Sequence, residues 1–156
     1  MQRPFKMDFR RAIPYDAFGI AEMEEAIFPD PWDYRSVVDL ISTEGAMCFT
    51  ATVDGKVVAY VIGRLIAPEG EIYRVAVRDE YRQRGIAYRL LDYAVKTSRG
   101  KGLESLFIEV RSENLPAIKL YRAYGFEEVG RRRGYYRNPT DDAIVMLKAN
   151  PIDLIN

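Results

Sequence analysis

Short β-rich runs and stretches with helical apolar spacing follow one another along the chain in a fixed order. "DFRRAI" (8–13) predicts a first strand. "YDAFGIAEMEEAIF" (15–28) and "DYRSVVDLIS" (33–42) carry apolar residues every three to four positions, the period of an amphipathic helix, with the turn-prone "PDPW" between them. "AMCFTATV" (46–53) and "KVVAYVIGRL" (56–65) predict two strands joined by Asp54-Gly55, a two-residue hairpin signal. A third strand, "EIYRVAV" (71–77), follows the loop "APEG". Ile86, Leu90, Leu91, Ala94 and Val95 then mark one face of a helix that Gly100 and Gly102 close. "SLFIEV" (105–110) returns to an extended form. "LPAIKLYRAY" (115–124) is a helix begun near Asn114, with Pro116 in its first turn and Gly125 as its stop. "FEEVGRRR" (126–133) and "AIVMLK" (143–148) finish the chain as strands. The order β-α-α-β-β-β-α-β-α-β-β predicts an α/β (α+β) fold, a mixed sheet of about seven strands with four helices on its faces.

Composition narrows the class. The 156 residues, 48% hydrophobic, suffice for one domain spanning 1–156 with a core at about 8–149, and the few residues after Asn150 read as weakly structured. Twenty-three basic residues balance 23 acidic ones, so neither a nucleic acid nor a membrane surface is an expected partner. A single cysteine, with no apolar leader or spanning run, points to a reducing, cytoplasmic setting. Histidine is absent, which removes Ser/His and Cys/His catalysis and leaves zinc without its usual nitrogen ligand, so no metal is expected. Cys48, between Met47 and Phe49 in a strand, reads as core.

Against that neutral background "YRQRGIAYRLL" (81–91) stands out, with arginines crowding one glycine where a strand gives way to a helix. A helix N-terminus offers unpaired N–H groups and about half a positive charge, which suits phosphate oxygens. Gly85 permits close backbone approach, and Arg82 and Arg84 supply fork-shaped donors. A solvated basic βα turn has the same composition. Neither the P-loop nor the dinucleotide glycine spacing is present. "RQRGIA" does resemble the [QR]-x-x-G-x-[GA] motif of the Gcn5-related N-acetyltransferases. Within that superfamily "EEAIFPDPW", "IEVRSENLPAIKLYRAYGF" (108–126) and "RRRGYY" are similar to blocks of the RimI group, the ribosomal-protein-alanine N-acetyltransferases, in the same order.

The resemblance implies a single GNAT-like domain that uses acetyl-CoA as cosubstrate. It implies that Val75, Ala76 and Val77 offer strand backbone to the pantetheine arm, and that Arg82, Gln83, Arg84, Gly85, Ile86, Ala87 and Tyr88 surround the pyrophosphate. Asn114 would hydrogen-bond the cofactor. Glu24, Trp32, Arg74, Tyr135 and Tyr136 would line a groove for the acceptor peptide, and ribosomal protein bS18 is the group's namesake substrate.

The chemistry can be read from the residues as well. Acetyl transfer to an amine needs a base for the amine and an acid for the departing thiolate. Glu109, a carboxylate within the apolar "LFIEV", is a candidate base because desolvation there favours proton uptake, and Tyr121 on the next helix is a candidate acid. RimI-like enzymes use a glutamate and a tyrosine at these positions. The structural alternatives are a strand glutamate paired with an arginine such as Arg111 and a tyrosine that only packs. An α-amine, with a pKa of about 8 against about 10.4 for lysine, is the easier acceptor for a carboxylate base, which favours a protein N-terminus. The run Arg131–Arg133 could attract acidic residues or the cofactor 3′-phosphate, or form a solvated edge. Two positions depart from the group: Arg74 and Gly134 stand where asparagine is common. The functions still open are N-terminal acetylation, acetylation of a small amine such as a polyamine or antibiotic, and non-catalytic acyl-CoA binding.

Overall fold

The computed structural model describes residues 6–149, so the tail after Asn150 lies outside the described residues. The elements are β1 (Met7–Arg11), α1 (Ala17–Ile27), α2 (Tyr34–Ile41), β2 (Phe49–Val53), β3 (Lys56–Ile66), β4 (Glu69–Val77), α3 (Ile86–Arg99), β5 (Ser105–Arg111), α4 (Leu115–Tyr124), β6 (Glu127–Tyr136) and β7 (Asp141–Ala149). The seven strands form one sheet in the order β1-β2-β3-β4-β5-β7-β6, antiparallel except where β4 meets β5.

Local chemistry accounts for most boundaries. Asp54 and Gly55 take positive φ values of 51° and 79°, the requirement of the turn that pairs Val53 with Lys56. The first helix begins later than its spacing predicts, at Ala17, because Pro14–Asp16 form a 3-10 turn. Its Asp16 side chain accepts from the Ile13 N–H at 2.8 Å and from Arg10 at 2.7 and 2.8 Å. β2 starts at Phe49 rather than Ala46, since Ala46 makes only an isolated bridge to Arg64. β6 runs on to Tyr136, past the glycine at 134.

Each face of the sheet is covered by one helix pair. α3 and α4 bury Leu90, Leu91, Ala94, Val95, Ile118 and Tyr121 with Val61, Ile72, Leu106, Ile108 and Ile144 of the strands. α1 and α2 bury Ile20, Met23, Val37 and Leu40 with Cys48, Tyr60, Ile62 and Ala76. Burying each large aliphatic side chain contributes roughly 1.5–3 kcal/mol, so these two layers supply most of the drive to fold. The second layer also encloses two carboxylates, Asp16 and Glu24, at 2% and 0% exposure. Groups of that kind are retained in a core only when they are paired. Among the described residues no helix is long and apolar enough to cross a membrane.

Two irregularities place the site. The β4–β5 ladder runs from Glu69↔Ser105 to Ile72↔Ile108 and stops, although β4 continues to Val77 and β5 to Arg111. The outer edges of both strands stay paired, Val77 with Ala59 and Arg111 with Ala143, so the strands part like the arms of a V. The second irregularity is a bulge in β4: Gly63 pairs with Ile72 and Ile62 with Arg74, leaving Tyr73 as the extra residue. Tyr73 and Arg74 consequently both turn toward α1 and its following loop, where Tyr73 stacks on Trp32 and Arg74 lies over Phe28.

Candidate active site

The turn after β4 is built to present backbone. Gln83 and Gly85 take left-handed φ values of 62° and 72°, and Gly85 is the N-cap of α3 without a side-chain cap. A Cβ on Gly85 would meet no atom within 4 Å, so the glycine is required by backbone conformation and by whatever approaches from solvent, not by packing. Among the described residues the N–H groups of Gly85, Ile86, Ala87 and Tyr88 make no hydrogen bond. Ile86 anchors the helix start at 3% exposure, which holds those donors in place. Arg82 has a different position from the one its fork suggests. It donates to the Val77 carbonyl at 3.1 Å and pairs with Asp79 at 2.7 Å, bracing the turn. The Arg84 guanidinium lies 5.6 Å from the centre of the Tyr81 ring. An uncapped helix start with alternating left-handed residues is an anion nest, and it fits a diphosphate.

Val75, Ala76 and Val77 lie on the β4 arm of the V, with their inner backbone edge unpaired to β5. Asn114 is the N-cap of α4, where its Oδ1 accepts the Ala117 N–H at 3.2 Å.

Glu109 is the first residue of β5 beyond the ladder. Ile72 and Ile108 face the α3/α4 layer, so Glu71 and Glu109 project from the other face of the sheet. Glu109 does not sit in an apolar setting: its side chain is 20% exposed, and Arg132 of β6 lies 3.2 Å from its Oε1. Arg111, the arginine named in the structural alternative, is engaged elsewhere. It donates to the carbonyls of Arg137 and Pro139 at 3.0 and 2.8 Å and lies 4.4 Å from the Tyr136 ring centre. Burial raises the carboxyl pKa of Glu71, and the charge of Glu109 adds to the effect.

Tyr121, on α4, is 3% exposed and packs edge-on against Phe126. Burial, with a smaller contribution from Tyr136, pushes its phenol above the ordinary tyrosine range, so at neutral pH it is a proton donor. Tyr136 is pushed up to about 12, first by burial and then by the charge of Glu109. Glu109, Tyr136 and Tyr121 therefore share one electrostatic neighbourhood, and Arg74 acts on both phenols.

The remaining acceptor candidates separate into two groups. Tyr135 and Tyr136 meet edge-on at 5.1 Å at the end of β6. Gly134 makes that pairing possible. Its φ of 59° lies in the left-handed region, and its N–H donates to Asp142 at 2.8 Å where the β6–β7 register breaks. Asparagine tolerates the same conformation, which explains how the position can differ from the RimI pattern without altering the turn. On the opposite side Glu24 is wholly buried and is not part of an open groove. It accepts a short hydrogen bond from the Tyr60 hydroxyl, the Trp32 N–H at 3.0 Å and Arg74 Nε at 3.2 Å. Arg74 also holds the Asp30 carbonyl at 2.6 Å and carboxylate at 3.0 Å. The pair thus fastens the "FPDPW" loop to β4, and Trp32 stacks on Tyr73 at 5.5 Å.

Glu71, Tyr73 and Asp30 border the site without having been singled out from the sequence, and Arg132 was anticipated only as part of the run Arg131–Arg133, not as the partner of Glu109. Alternation from Glu109 across the parallel ladder was the available signal for Glu71. Arg132 belonged to a charge run whose facing direction depends on β6 pairing. Among the described residues no group of three or more Cys, Asp or Glu side chains could hold a metal.

Comparison with known proteins agrees with this geometry. The Acetyltransferase (GNAT) family model matches residues 17–126. The chain is 32% identical over 138 residues to the [Ribosomal protein bS18]-alanine N-acetyltransferase of Escherichia coli K12, covering 85% of this chain and 88% of the other. It is 30% identical over 152 residues to the N-alpha-acetyltransferase of Saccharolobus solfataricus, covering 89% and 90%. The crystal structure of the ribosomal-protein-S18-alanine N-acetyltransferase from Escherichia coli superposes with a TM-score of 0.85 at 26% identity, covering 93% of this chain and 94% of that one. With the phosphate-type turn, the parted strands and a family match over most of its length, the chain belongs to the GNAT family of acetyltransferases.

Proposed function

We propose that this protein transfers the acetyl group of acetyl-CoA to the N-terminal α-amine of a protein, with Glu109 as base and Tyr121 as acid. The acceptors would include alanine starts of the kind that ribosomal protein bS18 presents to its own acetyltransferase. The observation that carries the reading is the parting of β4 and β5 immediately before Glu109, together with the uncapped start of α3 that follows β4 in the chain. The free N–H groups of the turn and Gly85 suit a pyrophosphate, and the unpaired edge of Val75–Val77 suits the amide groups of a pantetheine arm.

When bound, acetyl-CoA supplies an activated acyl group as a thioester. Glu109 takes the proton that the amine must lose, and the amine nitrogen forms its new bond to the carbonyl carbon. The carbon–sulfur bond breaks, and the Tyr121 hydroxyl gives its proton to the departing thiolate. The proton held by Glu109 then returns to the phenolate, directly or through water, so both groups are restored. A direct transfer in a ternary complex needs no nucleophile from the protein. Cys48 is 1% exposed in the core, and its thiol is raised to about 11, chiefly by burial, which leaves it unreactive. We place the reaction in the cytoplasm, where nascent N-termini and acetyl-CoA meet.

The test is to incubate the protein with acetyl-CoA and peptides beginning with alanine, serine or methionine, each with an internal lysine, and to locate the acetyl group by mass spectrometry. Acetylation of the α-amine supports the reading. Modification of the lysine alone, or of polyamines in preference to peptides, would replace it with a side-chain or small-amine acetyltransferase.

A further inference from the structure

We propose that Arg132 is an internal stand-in for the acceptor's ammonium group, resting on Glu109 beside Glu71 until an incoming amine displaces it. The inference rests on the reading of Glu109 as the proton-accepting carboxylate. Three arginines border the site, and two are locked in place. Arg74 and Arg111 are 14% and 15% exposed, the first bound to Glu24 and Asp30 and the second to two backbone carbonyls. Arg132 is held quite differently. Its side chain is 58% exposed, and its contact with Glu109 at 3.2 Å is an ion pair without the alignment of a hydrogen bond. Pairs so open to water are weak and easily exchanged.

The strand that carries Arg132 also gives it somewhere to go. The last regular β6–β7 pair before the break is Arg132↔Ala143, and β6 is the edge of the sheet. The Arg132 guanidinium is already 5.2 Å from the centre of the Tyr135 ring, which is 49% exposed. A cation leaving Glu109 can therefore settle over that ring.

A carboxylate oxygen occupied by a guanidinium is not available to the amine it must deprotonate. An ammonium group satisfies the same carboxylate with the same kind of N–H donor; it releases one proton to solvent before the neutral amine attacks, and Glu109 takes the second as the amide forms. Glu71 projects from the same face on the neighbouring strand and interacts electrostatically with both Glu109 and Arg132, so the mouth always favours one cation. The acceptor is accordingly recognised in its ammonium form, and a blocked N-terminus has no means of evicting Arg132.

The decisive measurement is calorimetric binding, to the CoA-loaded protein, of an alanine-starting octapeptide with a free amine and of the same peptide with its amine acetylated. Arg132→Gln should bind the free-amine peptide about three- to tenfold more tightly than the wild type and leave the capped peptide's affinity unchanged. Arg132→Lys should restore wild-type affinity, and Glu71→Gln should weaken free-amine binding by a similar factor. In turnover the gain of Arg132→Gln should appear in KM rather than in kcat. Equal or weaker binding of the free-amine peptide by Arg132→Gln, or equal tightening for both peptides, overturns the stand-in role. Selective tightening without acetyl transfer would leave this inference standing and remove the proposed N-terminal acetylation. Acetylation with an affinity indifferent to Arg132 would do the reverse.

Discussion

The two halves of the site are made of different materials. The turn at residues 83–88 presents main-chain N–H groups aimed by two left-handed residues and one buried isoleucine, which we propose hold the cosubstrate's pyrophosphate. The proposed acceptor side relies on side chains instead: Glu109 faces Arg132, and the buried Glu24, held by Tyr60, Arg74 and Trp32, braces the neighbouring loop. Backbone recognition suits a ligand that is the same in every turnover. Side-chain recognition lets a family vary its acceptor while keeping its donor. It follows that substitutions on the acceptor side should alter chemistry, stability and selectivity separately, whereas changes in the turn should alter cosubstrate affinity alone.

Glu109→Gln tests the largest separation. In the proposed mechanism Glu109 contacts the reacting proton, so its loss should lower kcat about 10³-fold, or about 4 kcal/mol, with the KM for acetyl-CoA unchanged. Steady-state kinetics with both substrates varied would check it, and a fall of less than tenfold would assign the proton to another group. Next is Glu24→Ala, which leaves Arg74 without its buried partner and Tyr60 without an acceptor. Losing one member of a buried pair costs about 3–5 kcal/mol, so the melting temperature should fall by about 10 °C. Thermal unfolding that barely moved would show that the loop at 28–32 is held by packing instead.

The same division decides how much could be read from the sequence. The element order and the α3 core face follow from periods of two and 3.6, and Ile86, Leu90, Leu91, Ala94 and Val95 are all buried. The turn was legible because its determinants, a glycine, a helix start and nearby arginines, are adjacent in the chain. The role of Glu24 was not legible. The resemblance put it in the wall of an acceptor groove, and only the packing of α1 against β3 and β4 buries it against Tyr60 and Arg74. The contact of Glu109 was not legible for the same reason: Arg111 is close in sequence, but it is Arg132 that reaches across β7 from the sheet edge. The bulge at Tyr73, which rotates two consecutive side chains to one face, has no local sequence signal.

Alkaline titration adds a test, because three raised groups, Cys48, Tyr60 and Tyr73, lie in the α1/α2 layer, whereas the raised Tyr121 lies in the α3/α4 layer. Cys48 is the first to matter. In the unfolded chain its thiol titrates near 9.0, and in the folded protein near 11. Below pH 9 both states hold the proton and the folded protein keeps its full stability. Above it the unfolded chain loses the proton first, so stability falls by about 1.4 kcal/mol per pH unit until the folded thiol also titrates. Denaturant unfolding between pH 9 and 10, where the unfolded thiol is only partly ionised and most tyrosines do not yet respond, should show a fall of about 1 kcal/mol in the wild type and lose it in Cys48→Ala.

The smallest effect concerns the turn. Gly85→Val forces a β-branched residue into a left-handed conformation at a strain of about 1–2 kcal/mol, although there is ample room for the side chain itself. The turn can relieve that strain only by rotating the peptide that carries the first free N–H groups of α3. The KM for acetyl-CoA should therefore rise about tenfold, while kcat at saturation and the KM for peptide stay within about threefold. Gly134→Asn is the matched control: asparagine accepts the left-handed φ of 59°, so the Gly134–Asp142 contact and both kinetic constants should persist. If Gly85→Val instead disturbed the peptide KM as strongly as that of acetyl-CoA, donor and acceptor recognition would not be separable, and the turn would have to be treated as part of the acceptor wall.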